Sequence, residues 1–369
     1  DMKKKNLCKT LVKTMCIVLG ILILALLAYI VYLYASYYRI EDNQELVVEA
    51  PVDDTTTGAA AVLATDTEYS AVTYNIGFGA YLPDYSFFMD GGTSSWAESP
   101  ETVQYAINGA GELVKSLDPD FALIQEIDLD ATRSYHTDEY EMLRNLLPEY
   151  TTVFAQNYDS AFLFYPFTQP HGSSRAGLGL FSKYLVSSAL RRSFPISTSF
   201  SKFFDLDRCY SVSRIPVDNA KELVIFNLHM SAYGNSDAIR KGQIEMLCND
   251  MAKEYEAGNY VLCGGDFNHD LKASEEDAEN CESWAFPFPR TELPEHFAFC
   301  LDLLSSEEKE ALWNSARNAD MEYVPGVTYT VTLDGFIISD NIECLSYENV
   351  NTGYSYSDHD PVKMDFVLK

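Results

Sequence analysis

Four times in this chain an apolar run stops on a polar or charged residue: Ala71-Val72-Thr73-Tyr74-Asn75, Phe121-Ala122-Leu123-Ile124-Gln125-Glu126, Leu223-Val224-Ile225-Phe226-Asn227-Leu228-His229 and Val261-Leu262-Cys263-Gly264-Gly265-Asp266. Runs of this length between turn formers read as strands buried on both faces. A carboxylate at the end of such a strand is costly to bury unless it is paired or bound. This pattern therefore constrains the fold to sheets whose polar strand ends gather along one edge. The fourth run carries the most: Gly264 and Gly265 remove side chains where something approaches the backbone closely, and Asp266 and Asn268 project beyond the strand. A charged acceptor and an amide so placed can orient water and phosphate oxygens beside a hard cation. A Gly-Asp turn with an Asx hydrogen bond explains those residues equally well in isolation. The other acids and histidines decide between the two.

Helical patterns separate the runs. Ser99-Pro100 opens one helix as cap and first residue, with Val103, Ile107, Val114 and Leu117 on its apolar face. A second spans 138–147, and a third is capped by Ser236, turns Ile239, Met246 or Leu247, and Met251 inward, and stops at Gly258. Further strands are expected at 151–155, 177–181, 327–331, 336–338 and 362–368, with Asp334 and the pair Asp358-His359 beside the last three. Strands alternating with helices and ending in polar groups point to an α/β sandwich with one active edge. The aromatic stretch that ends in Arg175 offers candidate substrate contacts in Asn157 and Arg175. Arg191-Arg192 and Asp207-Arg208 read as salt-bridged surface, and His136, His171, His269 and His296 as solvent-facing.

Residues 14–38 contain no charge, five lysines precede them and Arg39 follows. About 20 apolar residues span the hydrocarbon core, and the charge bias puts the N-terminus in the cytoplasm. The apolar stretch exceeds a signal-peptide core and lacks a small-x-small cleavage site, so an uncleaved anchor is expected. The expected organisation is a basic cytoplasmic tail (1–13), a transmembrane signal anchor (14–38), an acidic linker (39–67) and an extracytoplasmic catalytic domain (68–369). The net charge of −29, which becomes −34 (20 basic against 54 acidic residues) from residue 41 onward, argues against a DNA-coating role. Eight cysteines in a chain this long do not form a disulfide framework, and no zinc pattern is present. Cys263 reads as a buried small hydrophobe, and Cys281 and Cys300 as a pair that an oxidising compartment would allow.

The segments Thr73-Tyr74-Asn75, Gln125-Glu126, Asn227-Leu228-His229, Gly265-Asp266-Phe267-Asn268, Leu333-Asp334-Gly335-Phe336-Ile337 and Ser357-Asp358-His359-Asp360-Pro361 occur in one order over residues 70–369. This set resembles the endonuclease/exonuclease/phosphatase superfamily of DNase I-like, metal-dependent phosphodiesterases. The resemblance implies a four-layer α/β/β/α sandwich of two mixed β-sheets, here preceded by one N-terminal transmembrane helix. It also implies Glu126 as the main metal ligand, with Asn75 and Asp358 near the ion or its waters. Mg²⁺, or Mn²⁺ in its place, suits such oxygen ligands. Asp266 would orient or deprotonate the attacking water, and Asn268 would bind a phosphate oxygen or help position that water. His359 held by Asp334 would stand at the scissile phosphate, and His229 would be a second phosphate contact or leaving-group acid. The reaction implied is in-line attack of water on a phosphoester.

Substrate class stays open between nucleic acid, a phospholipid headgroup as in sphingomyelinases, and a small phosphodiester or monoester. The anchor and the aromatic loops at 81–89, 162–170 and 284–289 fit lipid headgroups slightly better. A catalytically silent surface-binding protein is the reading from another class. No protein partner is evident.

Overall fold

The computed structural model describes residues 2–53, 62–203, 205–232, 237–274 and 284–369, which form two compact units, Asp1–Arg39 and Ile40–Lys369. The first is a helix, α1 (Met2–Ser36), whose apolar stretch Asn6–Ser36 is long and uncharged enough to cross a bilayer.

The second unit opens with two short strands, β1 (Gln44–Glu45) and β2 (Val48–Glu49), before β3 (Glu68–Asn75), β4 (Phe121–Ala131), β5 (Thr151–Asp159) and β6 (Ser174–Ser182). Next come β7 (Ser188–Ser193), β8 (Cys209–Pro216), β9 (Glu222–His229) and β10 (Tyr260–Asp266). The last third adds β11 (Phe297–Phe299), β12 (Ala316–Arg317), β13 (Thr330–Val331), β14 (Asp334–Ser339), β15 (Ile342–Asn349) and β16 (Val362–Leu368). Two seven-stranded sheets result, ordered β1-β7-β8-β9-β10-β14-β11 and β15-β16-β3-β4-β6-β5-β2. Each is mixed, with β9 and β10 parallel in one and β3 and β4 parallel in the other.

Helices α2 (Pro100–Leu117) and α3 (Glu139–Leu146) cover the second sheet, packing Val103, Ile107, Val114 and Leu143 with Tyr74, Ala122 and Ile124. Helix α4 (Asp237–Glu256) contributes Ile244, Leu247 and Met251 to the large core that includes the first sheet. The order of layers is therefore α/β/β/α. The expected cap of α2 is present: Ser99 accepts a hydrogen bond from the Thr102 N–H at 3.1 Å, which contributes about 1 kcal/mol. The cap assigned to Ser236 lies outside the described residues, as do Cys281 and residues 275–280 of the acidic segment.

Gly264 and Gly265 leave no room for a side chain. A Cβ at Gly264 would stand 2.6 Å from the Phe336 ring and 3.1 Å from Leu123, and one at Gly265 would stand 2.0 Å from the Leu228 carbonyl oxygen. The close approach expected at these glycines is thus made by the protein itself.

Several expectations are corrected. Gln44–Glu45 and Val48–Glu49 are edge strands paired with β7 and β5, so part of the presumed linker belongs to the sandwich. Glu126 is not a strand end: β4 runs on to Ala131, and Glu126 sits where its register with β6 slips between Ile124 and Ile127. Only Thr330–Val331 of the expected strand at 327–331 forms one. His171 and His269 are buried rather than solvent-facing. Arg191, Asp207 and Arg208 are buried rather than at the surface, and Arg192 makes the expected partly exposed ion pairs, with Asp42 and Asp250. Strands β7 and β8 escaped the sequence reading because arginines and serines interrupt their apolar residues.

Candidate active site

The sandwich brings the polar strand ends together through register. Asp266 at the end of β10 is the ladder partner of His229, which ends β9, and of Asp334, which begins β14. Directly opposed residues leave a sheet on the same side, so these three side chains share one face. On the other sheet Asn75 ends β3 opposite Gln125. Its amide joins the two groups, donating to Glu126 Oε1 at 3.3 Å and to Asp266 Oδ2 at 3.1 Å, while its Oδ1 accepts from the Gly77 N–H. Beneath it a buried amide pair ties the sheets: Gln125 donates to Asn227 at 2.8 Å, and Asn227 donates to the Gly179 carbonyl at 3.0 Å.

His359 comes from the loop before β16. Its Nδ1–H donates to Asp334 Oδ2 at 2.8 Å, and the Ser315 hydroxyl donates to the same oxygen at 2.7 Å. Burial alone would lower the His359 pKa, but Asp334, with Asp358 and Asp266 nearby, overrides it and holds the imidazole charged well above the usual histidine range. The loop is anchored by Ser357, which donates to the Asn75 carbonyl at 2.8 Å.

Two carboxyls are raised as well, but by burial itself. Burial raises Asp266 to about 7, aided by Asp334 and opposed by His359 and by hydrogen bonds from the Asn268 N–H and Asn75. Burial likewise raises Asp358 to about 6, with His359 and Arg317 opposing it and Glu126 adding to it. Asn268, with its backbone in the left-handed region at φ 50°, donates its side-chain amide to the Met230 carbonyl at 2.9 Å.

His229 Nε2 lies 3.6 Å from Asp266 and 3.9 Å from Glu126, and its buried Nδ1 has no partner among the described residues. Burial, reinforced by Arg208, pushes its pKa well below the usual value, so the ring is neutral. Arg208 was missed by the sequence reading. It is 7% exposed, its Nε and Nη1 have no partner among the described residues, and its Nη2 is 3.8 Å from Asp205. No local signal distinguishes it from a surface arginine.

The expected substrate contacts are not alike. Asn157 is buried in β5, with its Nδ2 unpartnered among the described residues. Arg175 is half exposed and ion-paired to Asp130 at 3.0 Å.

Donor atoms of Asp266, Asp334 and His359 lie within 4.8 Å of one another, close enough to surround a cation, although Asp334 Oδ2 already accepts from His359 Nδ1 and the Ser315 hydroxyl. Asp266 and Asp358, both raised by burial and nearby acids, fit a site whose charge a cation offsets.

Solved structures with this architecture agree with the fold. The endonuclease/exonuclease/phosphatase from Beutenbergia cavernae aligns with a TM-score of 0.54 at 16% identity, over 82% of this chain and 72% of that one. D. rerio TDP2 complexed with single strand DNA product aligns at 0.54 and 14% identity, over 82% and 99%. ANGEL2, a 2′,3′-cyclic phosphatase in complex with adenosine-2′,3′-vanadate, aligns at 0.56 and 12% identity, over 82% and 96%. No curated protein sequence matches the chain. The model of the Endonuclease/Exonuclease/phosphatase family matches residues 72–303, a span that contains Asn75, Glu126, His229, Asp266 and Asn268, and the chain belongs to that family.

Proposed function

We propose that this protein is a metal-dependent phosphoesterase, hydrolysing a phosphodiester or phosphomonoester by in-line attack of water. The observation that carries this reading is the pairing of a charged imidazole, His359 on Asp334, with a carboxyl raised to about 7, Asp266, 3.9 Å from it. A base poised near neutrality takes a proton from water without being held fully protonated. The charged His359 donates its Nε2–H to a phosphoryl oxygen, and Asp334 fixes the tautomer. Neutral His229 offers a second hydrogen bond, and Arg208 supplies positive charge. Asn268 helps position the phosphate or the water.

Glu126 and Asp358 would hold the cation, with Asn75 aligning Glu126 against Asp266. His359 Nδ1–H and the Ser315 hydroxyl both donate to Asp334 Oδ2, which engages that oxygen and favours this pair over the Asp266–Asp334–His359 group. Oxygen ligands suit Mg²⁺, with Mn²⁺ as a substitute. When bound, the ion neutralises charge developing on the phosphoryl oxygens.

In this reading α1 anchors the domain outside the cytoplasm, following the lysines before the apolar stretch. Phe164, Tyr165 and Phe167, exposed by 49, 62 and 85%, favour a substrate with an apolar or aromatic part, as in a lipid or a nucleotide. The test uses the full chain in detergent with Mg²⁺, Mn²⁺ or EDTA against a bis-aryl phosphodiester, an aryl monoester, single-stranded DNA and sphingomyelin. Turnover that EDTA abolishes, and that Asp266→Asn and His359→Ala lose, supports the enzyme. Absence of turnover on every substrate together with absence of Mg²⁺ binding leaves a silent binding protein.

A further inference from the structure

Glu126 has φ +56°, and Phe78, three residues after Asn75, has φ +40°. Such backbone is unfavourable for glutamate and phenylalanine and persists only where surrounding contacts over-determine it. One buried side-chain network connects the two. The ladder of β4 with β6 slips on both sides of Ile127-Asp128, and β3 ends opposite Gln125. In this irregular stretch the Asp128 N–H finds its acceptor in a side chain, Glu139 Oε2 at 2.8 Å, from the first residue of α3. The Asp128 carboxylate in turn accepts from Arg133 Nε at 3.1 Å, from Arg133 Nη2 at 2.8 Å and from the Ser134 hydroxyl at 2.8 Å. The Arg133 guanidinium then lies 3.7 Å over the Phe78 ring. Asp128, Ser134 and Glu139 are fully buried, and Glu139 Oε1 has no partner among the described residues.

A fully buried carboxyl with one oxygen unpartnered among the described residues is costly for stability alone. Its one hydrogen bond holds the backbone two residues beyond Glu126. We propose that Glu139 is a positioning residue: through Asp128 and Arg133 it locks the left-handed turns at Glu126 and Phe78, and so aims the Glu126 carboxylate at the cation. The inference rests on the assignment of Glu126 as a metal ligand.

The test measures Mg²⁺ affinity of the full chain in detergent by calorimetry, amide exchange of residues 126–131 in the metal-free protein, and kcat and KM on a bis-aryl phosphodiester. Glu139→Met, which removes the acceptor, is expected to weaken Mg²⁺ binding about tenfold, to speed exchange of that segment, and to lower kcat with KM little changed. Glu139→Gln keeps a carbonyl oxygen for the Asp128 N–H and is expected to restore all three. Wild-type Mg²⁺ affinity and exchange in Glu139→Met, with only the melting temperature reduced, would overturn the proposal. If Glu139→Met does not fold, Ser134→Ala loosens the same clamp from the Asp128 side. A roughly threefold weaker Mg²⁺ affinity there supports the proposal, and an unchanged one overturns it. Glu126→Ala separates the two levels: if it binds Mg²⁺ like the wild type, the metal assignment itself fails, whatever Glu139 does.

Discussion

Arg191 and Arg208 are both buried beside the same sheet, and their surroundings are opposite. Arg191 is fully buried and donates to the Gln156 carbonyl at 2.6 Å, the Glu41 carbonyl at 3.1 Å, the Ser193 hydroxyl at 2.5 Å and the Asp207 carbonyl at 3.1 Å. It staples the start of the domain to β5 and to the turn before β8. Arg208 leaves two nitrogens unpartnered among the described residues. The same contrast separates the histidines: His269 donates Nδ1–H to the Phe267 carbonyl at 2.6 Å, whereas the buried Nδ1 of His229 has no such partner. A folded chain satisfies nearly all its buried polar groups. In the proposed reading, Arg191 and His269, whose donors are met within the fold, are scaffold, and Arg208 and His229, which keep unpartnered atoms, are the ones a substrate would meet.

The contrast breaks or sharpens under substitution. The largest effect is expected at the raised carboxyl: Asp266→Asn should lower kcat by roughly a thousandfold or more while the protein melts at the same temperature or higher, because a buried charge is removed. Steady-state kinetics beside thermal melts check this, and a variant that keeps its activity would take Asp266 out of the reaction. Next comes the arginine pair. Arg208→Met should reduce kcat/KM about a hundredfold with stability nearly unchanged. Arg191→Met should cost about 3 kcal/mol in denaturant unfolding, because several carbonyls lose their donor, yet leave the kinetics of the folded fraction close to wild type. Equal stability losses in the two would dissolve the distinction.

A smaller effect concerns pH. Asp266, raised to about 7, binds a proton in the folded state that the unfolded chain has lost, so its contribution is full below its unfolded value and disappears as pH rises through 7. His359, raised well above the usual range, acts in the same direction. The lowered His171, His229 and His269 act in the opposite direction, but only below their ordinary value of about 6.5. Metal-free protein should therefore lose stability from pH 6.5 to 8, with about 1 kcal/mol of the loss due to Asp266. Denaturant titrations should show Asp266→Asn flattening that slope and added Mg²⁺ offsetting it. The smallest effect is at Arg175, whose exposed pair with Asp130 is worth at most about 0.5 kcal/mol. Arg175→Ala should change kcat/KM less than about twofold, and a larger loss would show that Arg175 leaves Asp130 for the substrate.

Much of this architecture is legible in the linear chain. The runs ending at Asn75, His229 and Asp266 become strands that end on those residues, because a desolvated strand must stop where a polar group needs the rim. The last strand and the Ser99 cap follow from equally local rules. Glu126 shows the limit. Its apolar run predicts the strand but not its continuation, because the bulge that aims Glu126 depends on β6, Asp128 and Glu139.

The sequence by itself therefore determined the class of fold, the order of its strands' polar ends and the helix apolar enough for a membrane, since each follows from local burial and period. Only the tertiary structure decided which buried polar atoms are satisfied: the Gln125–Asn227 bridge between the sheets, the saturated Arg191, the orphaned Arg208 and His229, and the Glu139 hold on β4. Except for Glu139 and the Ser193 hydroxyl on Arg191, those partners come from other parts of the chain, and no local pattern records which carbonyl or carboxylate folding will bring to each donor.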